Sequence, residues 1–168
     1  LWEQTPTTGA ENNPHITRIT TTLADVTPNL ISKQEFTYDQ YNNQTDVYEY
    51  DYGSGTPGPL RRRTHTDYVT ASTYTDGATG AHLRRLPAQV SIFDAAGVER
   101  ARSAIEYDNY VLDGSDCLHS FHCSLLSRSN ISGFDSAFNS SYTKRGNPTA
   151  VTRYLLSNGT VTGSITSY

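Results

Sequence analysis

The chain has 168 residues, 35% of them hydrophobic and 18% charged, with a formal net charge of −4. That length fits one domain, and the acidic balance argues against a nucleic-acid partner, which needs a basic footprint. Mean hydropathy is only −0.57, yet 12 tyrosines and 23 threonines set the chain apart from disordered sequences, which are poor in aromatic and β-branched residues.

Residues 1–14 are polar, rich in Pro, Thr and Asn, and read as an N-terminal arm or loop. From His15 to Leu23 the β-branched content predicts a strand by propensity more than by period, since neither alternating face is cleanly apolar. Asp25 to Asn29 predicts a turn, Leu30–Tyr38 a second strand, and Tyr41-Asn42-Asn43 a turn back into Thr45–Tyr52. The looser Gly- and Pro-rich stretch 53–59 leads into a long predicted strand, Leu60–Tyr74, bounded by the turn 76–80. Leu86–Phe93 and Val98–Tyr107 are expected to pair across Asp94-Ala95-Ala96-Gly97, where Asp94 accepts backbone N–H groups and Gly97 takes positive φ. The pattern breaks over 109–138, a stretch that holds both cysteines and reads as an irregular inserted loop. Tyr142–Leu156 predicts a strand, Asn158-Gly159 a two-residue hairpin turn, and Val161–Tyr168 its return strand. No segment keeps a helical period, so the expected class is all-β, an array of antiparallel hairpins. No run approaches the roughly 18 apolar residues of a membrane span, and no stretch reads as a signal segment.

Aromatics recur at hairpin spacing: Tyr38 and Tyr50, Phe93 and Tyr107, Tyr142 and Tyr154. A single hairpin cannot bury its own apolar face and must stack on neighbours. The unit Tyr38-Asp39-Gln40-Tyr41-Asn42-Asn43 begins with Tyr-Asp, and Asn42 tolerates left-handed φ. Phe93-Asp94-Ala95-Ala96-Gly97 replaces Tyr with Phe, while Tyr142-Thr143-Lys144-Arg145-Gly146-Asn147 keeps Gly-Asn and replaces Asp with Thr. With these motifs, residues 15–168 resemble the rearrangement-hotspot, or tyrosine–aspartate (RHS/YD), repeat family. The resemblance implies a ribbon of hairpins that spirals into a hollow sheet or shell, as around the toxic domain of bacterial toxins or in the adhesive teneurins. It implies a structural role on a secreted or cell-surface protein, with neighbouring repeats, other copies of itself or an enclosed toxin domain as partners. It brings no catalytic residues and no cofactor. The absence of Met, the start at Leu1-Trp2, and Tyr168 standing where another unit would begin suggest a segment of a longer array.

Cys117-Leu118-His119-Ser120-Phe121-His122-Cys123 is the one cluster of metal-ligand types. Its spacing fits no known zinc frame, and a Cys117–Cys123 disulfide is the expectation for an exported chain, with free thiols and zinc as alternatives. The three arginines 61–63, close to Glu49, Asp51 and Asp67, read as a solvated, cross-strand-paired face rather than a phosphate site. Glu49 and Asp51 share one side of a strand as glycosidase carboxylates do, but in a Thr- and Tyr-rich strand they read as surface charges. Tyr48, Tyr50 and Tyr52 read as a cross-strand ladder before they read as a sugar platform. His65, Asp67 and the serines stand in no nucleophile motif. Sequons occur at Asn43, Asn130, Asn139 and Asn158.

Overall fold

The computed structural model describes residues 15–111, 122–127, 131–133 and 135–167. Among these residues the fold is all-β apart from two single turns of helix. The strands are β1 (Arg18–Leu23), β2 (Leu30–Tyr38), β3 (Gln44–Tyr50), β4 (Gly53–Ser54), β5 (Leu60–Tyr68), β6 (Pro87–Asp94), β7 (Glu99–Tyr107), β8 (Pro148–Ser157) and β9 (Thr160–Ser167). A one-turn helix α1 covers Ser72–Thr75 and a 3-10 turn covers Ser136–Phe138. The sheet runs β1-β2-β3-β5-β6-β7-β8-β9, each strand antiparallel to the next, with β4 set against β2. It is open, so β1 and β9 are its outer strands among the described residues.

Two predicted strands end elsewhere. The stretch Leu60–Tyr74 is not one strand: β5 stops at Tyr68, directly after a register shift between Asp67 and Tyr68. The chain then turns into α1, where Tyr74 and Thr75 are buried. The Thr- and Tyr-rich run beyond Tyr68 has strand propensity throughout, and tertiary burial of Tyr74 overrides it. Four residues of helix carry no period to detect. The predicted strand Tyr142–Leu156 begins only at Pro148, because residues 145–147 close a loop described below.

Cross-strand register defines two faces. Phe36, Val47, Thr64, Ile92 and Ala101 form one row across five strands. On the opposite face Thr37, Asp46, His65, Ser91, Arg102, Tyr154 and Ser164 form another. The first row is mostly apolar and the second polar, yet none of Phe36, Val47 and Ile92 is fully buried. Among the described residues only Tyr74 and Ala150 are buried apolar side chains. Among the described residues the sheet is a single layer with no second sheet or helix laid along it.

Six of the strand pairs carry a register shift, and five of these shifts fall immediately before an aromatic: Tyr38, Tyr50, Tyr68, Phe93 and Tyr107. The sixth precedes Leu156. A bulge bends its strand and increases the local right-handed twist. The aromatics seen in the sequence therefore mark the places where each strand leaves the ladder.

Candidate functional site: loop necks and the polar face

At each register shift beside an aromatic the extra residue lies in the following strand, opposite the aromatic, and the residue after the aromatic closes a loop with one backbone bond. Asp39 N–H donates to the Asn43 carbonyl at 3.0 Å, Val69 N–H to Leu86 at 2.8 Å, and Asp108 N–H to Asn147 at 3.0 Å. These three loops connect β2 to β3, β5 to β6 and β7 to β8, so in an antiparallel path they lie at one end of the sheet. At the other end Asp51 N–H reaches Pro59 at 2.9 Å and Asp94 N–H reaches Val98 at 3.0 Å. All five loops share one neck.

A tyrosine hydroxyl ties each neck at the first end to the neighbouring chain in the sheet, Ile16 lying just ahead of β1 and Gln44 and Pro87 opening β3 and β6. Tyr38 Oη donates to the Ile16 carbonyl at 2.8 Å, Tyr68 Oη to Gln44 at 3.1 Å and Tyr107 Oη to Pro87 at 2.9 Å. Burial comes first in raising the Tyr68 and Tyr107 hydroxyls above their ordinary pKa, so both stay protonated donors at neutral pH.

Where a neck carries aspartate, the carboxylate organises the turn. Asp39 Oδ1 accepts the Tyr41 and Asn43 amides at 2.8 and 2.9 Å, with Asn42 at φ 62°. Asp94 Oδ1 accepts the Ala96 and Val98 amides, both at 2.9 Å, with Gly97 at φ 78°. The two turns are built alike, from Phe93 or Tyr38 through the positive-φ residue. Asp108 repeats the arrangement with distant partners. Its carboxylate accepts the amides of Arg145 (2.8 Å), Gly146 (2.7 Å) and Asn147 (3.0 Å), and Gly146 has φ 74°. Gly146-Asn147 thus completes the unit begun by Tyr107-Asp108, not one begun by Tyr142, and the enclosed segment reaches past 138 to Lys144. Burial raises the Asp108 carboxyl, but the Gly146 amide, the Tyr110 hydroxyl and the Asn147 and Arg145 amides outweigh it and hold it below its ordinary value.

The loops at this end also touch one another. Asn43, 1% exposed, donates its amide to Asp39 Oδ2 at 2.8 Å and to the Arg84 carbonyl at 2.6 Å. The Arg84 guanidinium lies over the Tyr41 ring. Tyr74, from α1, sits beneath Lys144, and burial with the Asp108 contact pushes its hydroxyl up to about 12.

On the polar face Asp46 is the hub. It accepts from Thr37 Oγ1 at 2.9 Å and Arg63 Nε at 2.7 Å, and lies 2.8 Å from His65 Nδ1. Burial raises its carboxyl, and the bonds from Arg63, His65 and Thr37 outweigh that and lower it. The other His65 nitrogen faces Asp67 Oδ1 at 3.2 Å. Both ring nitrogens are thus taken by carboxylates, and the neighbouring Thr37 hydroxyl donates to Asp46. This is an ion-pair lattice, with no base poised beside a nucleophile. Cations cover the rings of the same face: Arg63 lies between Tyr48 (5.6 Å) and Phe93 (5.2 Å), Arg102 over Tyr154 (5.7 Å) and Lys33 over Tyr50 (4.0 Å). Glu99, buried on this face, pairs with Arg102, and that bond comes first in holding its carboxyl low.

The other residues singled out in the sequence separate. Glu49 pairs with Arg62 at 2.5 Å on the apolar-row face, and this bond comes first in lowering its carboxyl. Asp51 accepts the Tyr52 amide within its loop. Glu49 and Asp51 are therefore not a facing pair, and Tyr52 stands apart from Tyr48 and Tyr50. Asn158 and Gly159 take φ values of 48° and 80° in the β8–β9 turn, as a type I′ turn requires. Cys123 is half-buried, whereas Cys117, Asn130, Tyr168 and the arm 1–14 lie outside the described residues. Among the described residues no group of three His, Cys, Asp or Glu is placed to hold a metal ion, and no helix is long and apolar enough to cross a membrane. The Asp46–His65 hub carries no sequence motif, and the Asp108 neck shows only its Tyr107-Asp108 opening in the sequence. Alternation within β3 and β5 could have suggested the first, but only the fold brings Asp108 to Gly146.

Comparison with known protein families, with characterised proteins and with solved structures finds no match for the chain.

Proposed function

We propose that this chain is a structural β-repeat segment of a large secreted or surface protein, forming part of a shell, a scaffold or a self-assembling fibre. The observation that carries this reading is the single-layer sheet: nine strands among the described residues, with Tyr74 and Ala150 the buried apolar side chains. A wall of this kind gains stability from neighbours on either side, as repeat arrays do. The repeated neck, an aromatic opposite a bulge followed by one closing bond, supports a repeat built from Tyr-Asp units and agrees with the RHS/YD resemblance. On the polar face the carboxylates are held ionised by arginines, an arrangement suited to rigidity rather than proton transfer.

A second reading, an extracellular glycan- or protein-binding module, is favoured by a cavity of about 680 Å³ bordered by Arg18, Glu35, Tyr48 and Tyr50. Against it, Lys33 and Arg63 already lie over the two tyrosine rings. A glycan array and a hydrolase substrate panel separate the readings. The scaffold expects neither retention nor turnover. Glycan retention abolished by Tyr48→Ala would favour the binding module, and turnover would overturn both.

A further inference from the structure

We infer that β9 of one copy of this chain pairs with β1 of a second copy, antiparallel and head to tail, so that the sheet continues from molecule to molecule. The inference rests on the scaffold reading and names its partner.

Exposed sheet edges present unpaired N–H and C=O groups and are normally guarded by charge, proline or a covering element. β9, Thr-Val-Thr-Gly-Ser-Ile-Thr-Ser, has no charged residue and no proline. Among the described residues no strand pairs with its outer side. All but one of its residues are exposed, including Val161 at 42% and Ile165 at 66%. β1 is exposed along its whole length, and its one charge, Arg18, is held by Glu35 of the adjoining strand at 2.9 Å.

Direction permits the union. The path from β1 to β9 holds eight strands that alternate in direction, so the two outer strands run oppositely. A second copy's β1 beside β9 therefore preserves the alternation.

Side-chain pattern favours it. Register places Ile19 and Leu23 of β1 on the same face as Ile165 of β9, the face of the Phe36–Ala101 row, while the shift beside Leu156 sets Val161 on the other face. Setting Ile165 opposite Ile19 of the next copy also sets Ser164 opposite Thr20 on the other face. Two apolar groups, 42% and 66% exposed, then cover one another, and a hydroxyl pair forms like the Thr152–Thr166 contact at 2.8 Å. A head-to-tail contact does not close on itself and yields open chains of molecules.

The test uses the full chain and the variants Ile165→Lys and Ile19→Lys, at exposed positions, with folding checked by circular dichroism. In analytical ultracentrifugation the unmodified chain should form concentration-dependent oligomers of increasing size. Each variant alone should stay at monomer mass, because each lacks one edge. Mixed in equal amounts they should give a species of twice the monomer mass, since the first keeps an intact β1 and the second an intact β9. If Ile165→Lys fails to fold, Ser167→Lys on the same exposed strand takes its place. Oligomerisation of Ile19→Lys alone, or a mixture that remains monomeric, would overturn the β9–β1 pairing while leaving self-assembly in place. An unmodified chain that is monomeric at every concentration would overturn the second-copy partner, leaving the scaffold reading to the glycan and hydrolase tests.

Discussion

Asp108 holds the amide of Gly146 at 2.7 Å although the two stand 38 positions apart in the chain. Asp39 makes the corresponding contact to Asn43 four positions away. One carboxylate thus closes a tight turn, and another closes a long excursion at the same kind of neck.

Deleting residues 110–144 leaves Asp108-Asn109-Arg145-Gly146-Asn147, a frame matching Asp39-Gln40-Tyr41-Asn42-Asn43. The shortened chain should fold, with β8 and β9 retained, as read by circular dichroism and a cooperative melt. In the full chain Asp108→Ala leaves three amides without their acceptor. That should cost about 3 kcal/mol, or roughly 6–12 °C in melting temperature for a chain of this size.

Acid should unfold the protein through its paired carboxylates. Asp46, Asp108 and Glu99 all titrate lower in the folded state than their ordinary values. Their contribution is fully present above the unfolded pKa values, about 4, and is lost as pH falls through the lower folded ones. The unfolded chain binds more protons in that window, so stability should fall steadily below about pH 4. Denaturant melts at a series of pH values should show a shallower acid limb for Asp46→Asn than for the unmodified chain.

Gly159→Val should destabilise the β8–β9 hairpin. A Cβ at Gly159 meets Val98 Cγ1 at 3.6 Å, an ordinary contact, so space is not the obstacle. The φ of 80° is, and a β-branched residue there should cost about 2 kcal/mol. Gly159→Asn should cost less, because Asn tolerates that region. Comparison of the two thermal midpoints checks the turn geometry.

Local chemistry was readable in the sequence, and distant closure was not. The turns at Asp39, Asp94 and Asn158-Gly159 each lie within five or six consecutive residues, so residue type alone indicates their backbone. The Asp108–Gly146 contact has the same chemistry, but its halves are separated by a segment that obeys no pattern, and in sequence Tyr142 stands nearer to Gly146-Asn147. Tyr68 ends β5 as Tyr38 ends β2, but no Asp follows it; Val69 makes the neck bond with its backbone alone. The polar hub was hidden for another reason. Asp46, Arg63 and His65 are ordinary surface residues in sequence and become an ion-pair lattice only through register.

Expressed through a secretory pathway, folded protein should carry no glycan at Asn43. That side chain is 1% exposed, and its amide nitrogen already donates to Asp39 and to the Arg84 carbonyl. Asn158 stands exposed at a hairpin turn, and it should be the modified sequon of these two. Mass spectrometry of glycopeptides from secreted material checks both, and an occupied Asn43 in folded protein would contradict the packing of this loop end.

The shared neck separates the length of a loop from the alignment of the strands it joins. Residues 39–43, 69–86 and 108–147 leave and re-enter the sheet through the same backbone bond. A sequence spliced between two neck residues need only return its ends to that spacing, whatever lies between. One rim of the molecule can therefore diversify by insertion and deletion while the strands keep their partners, which makes it a natural place to graft foreign peptides.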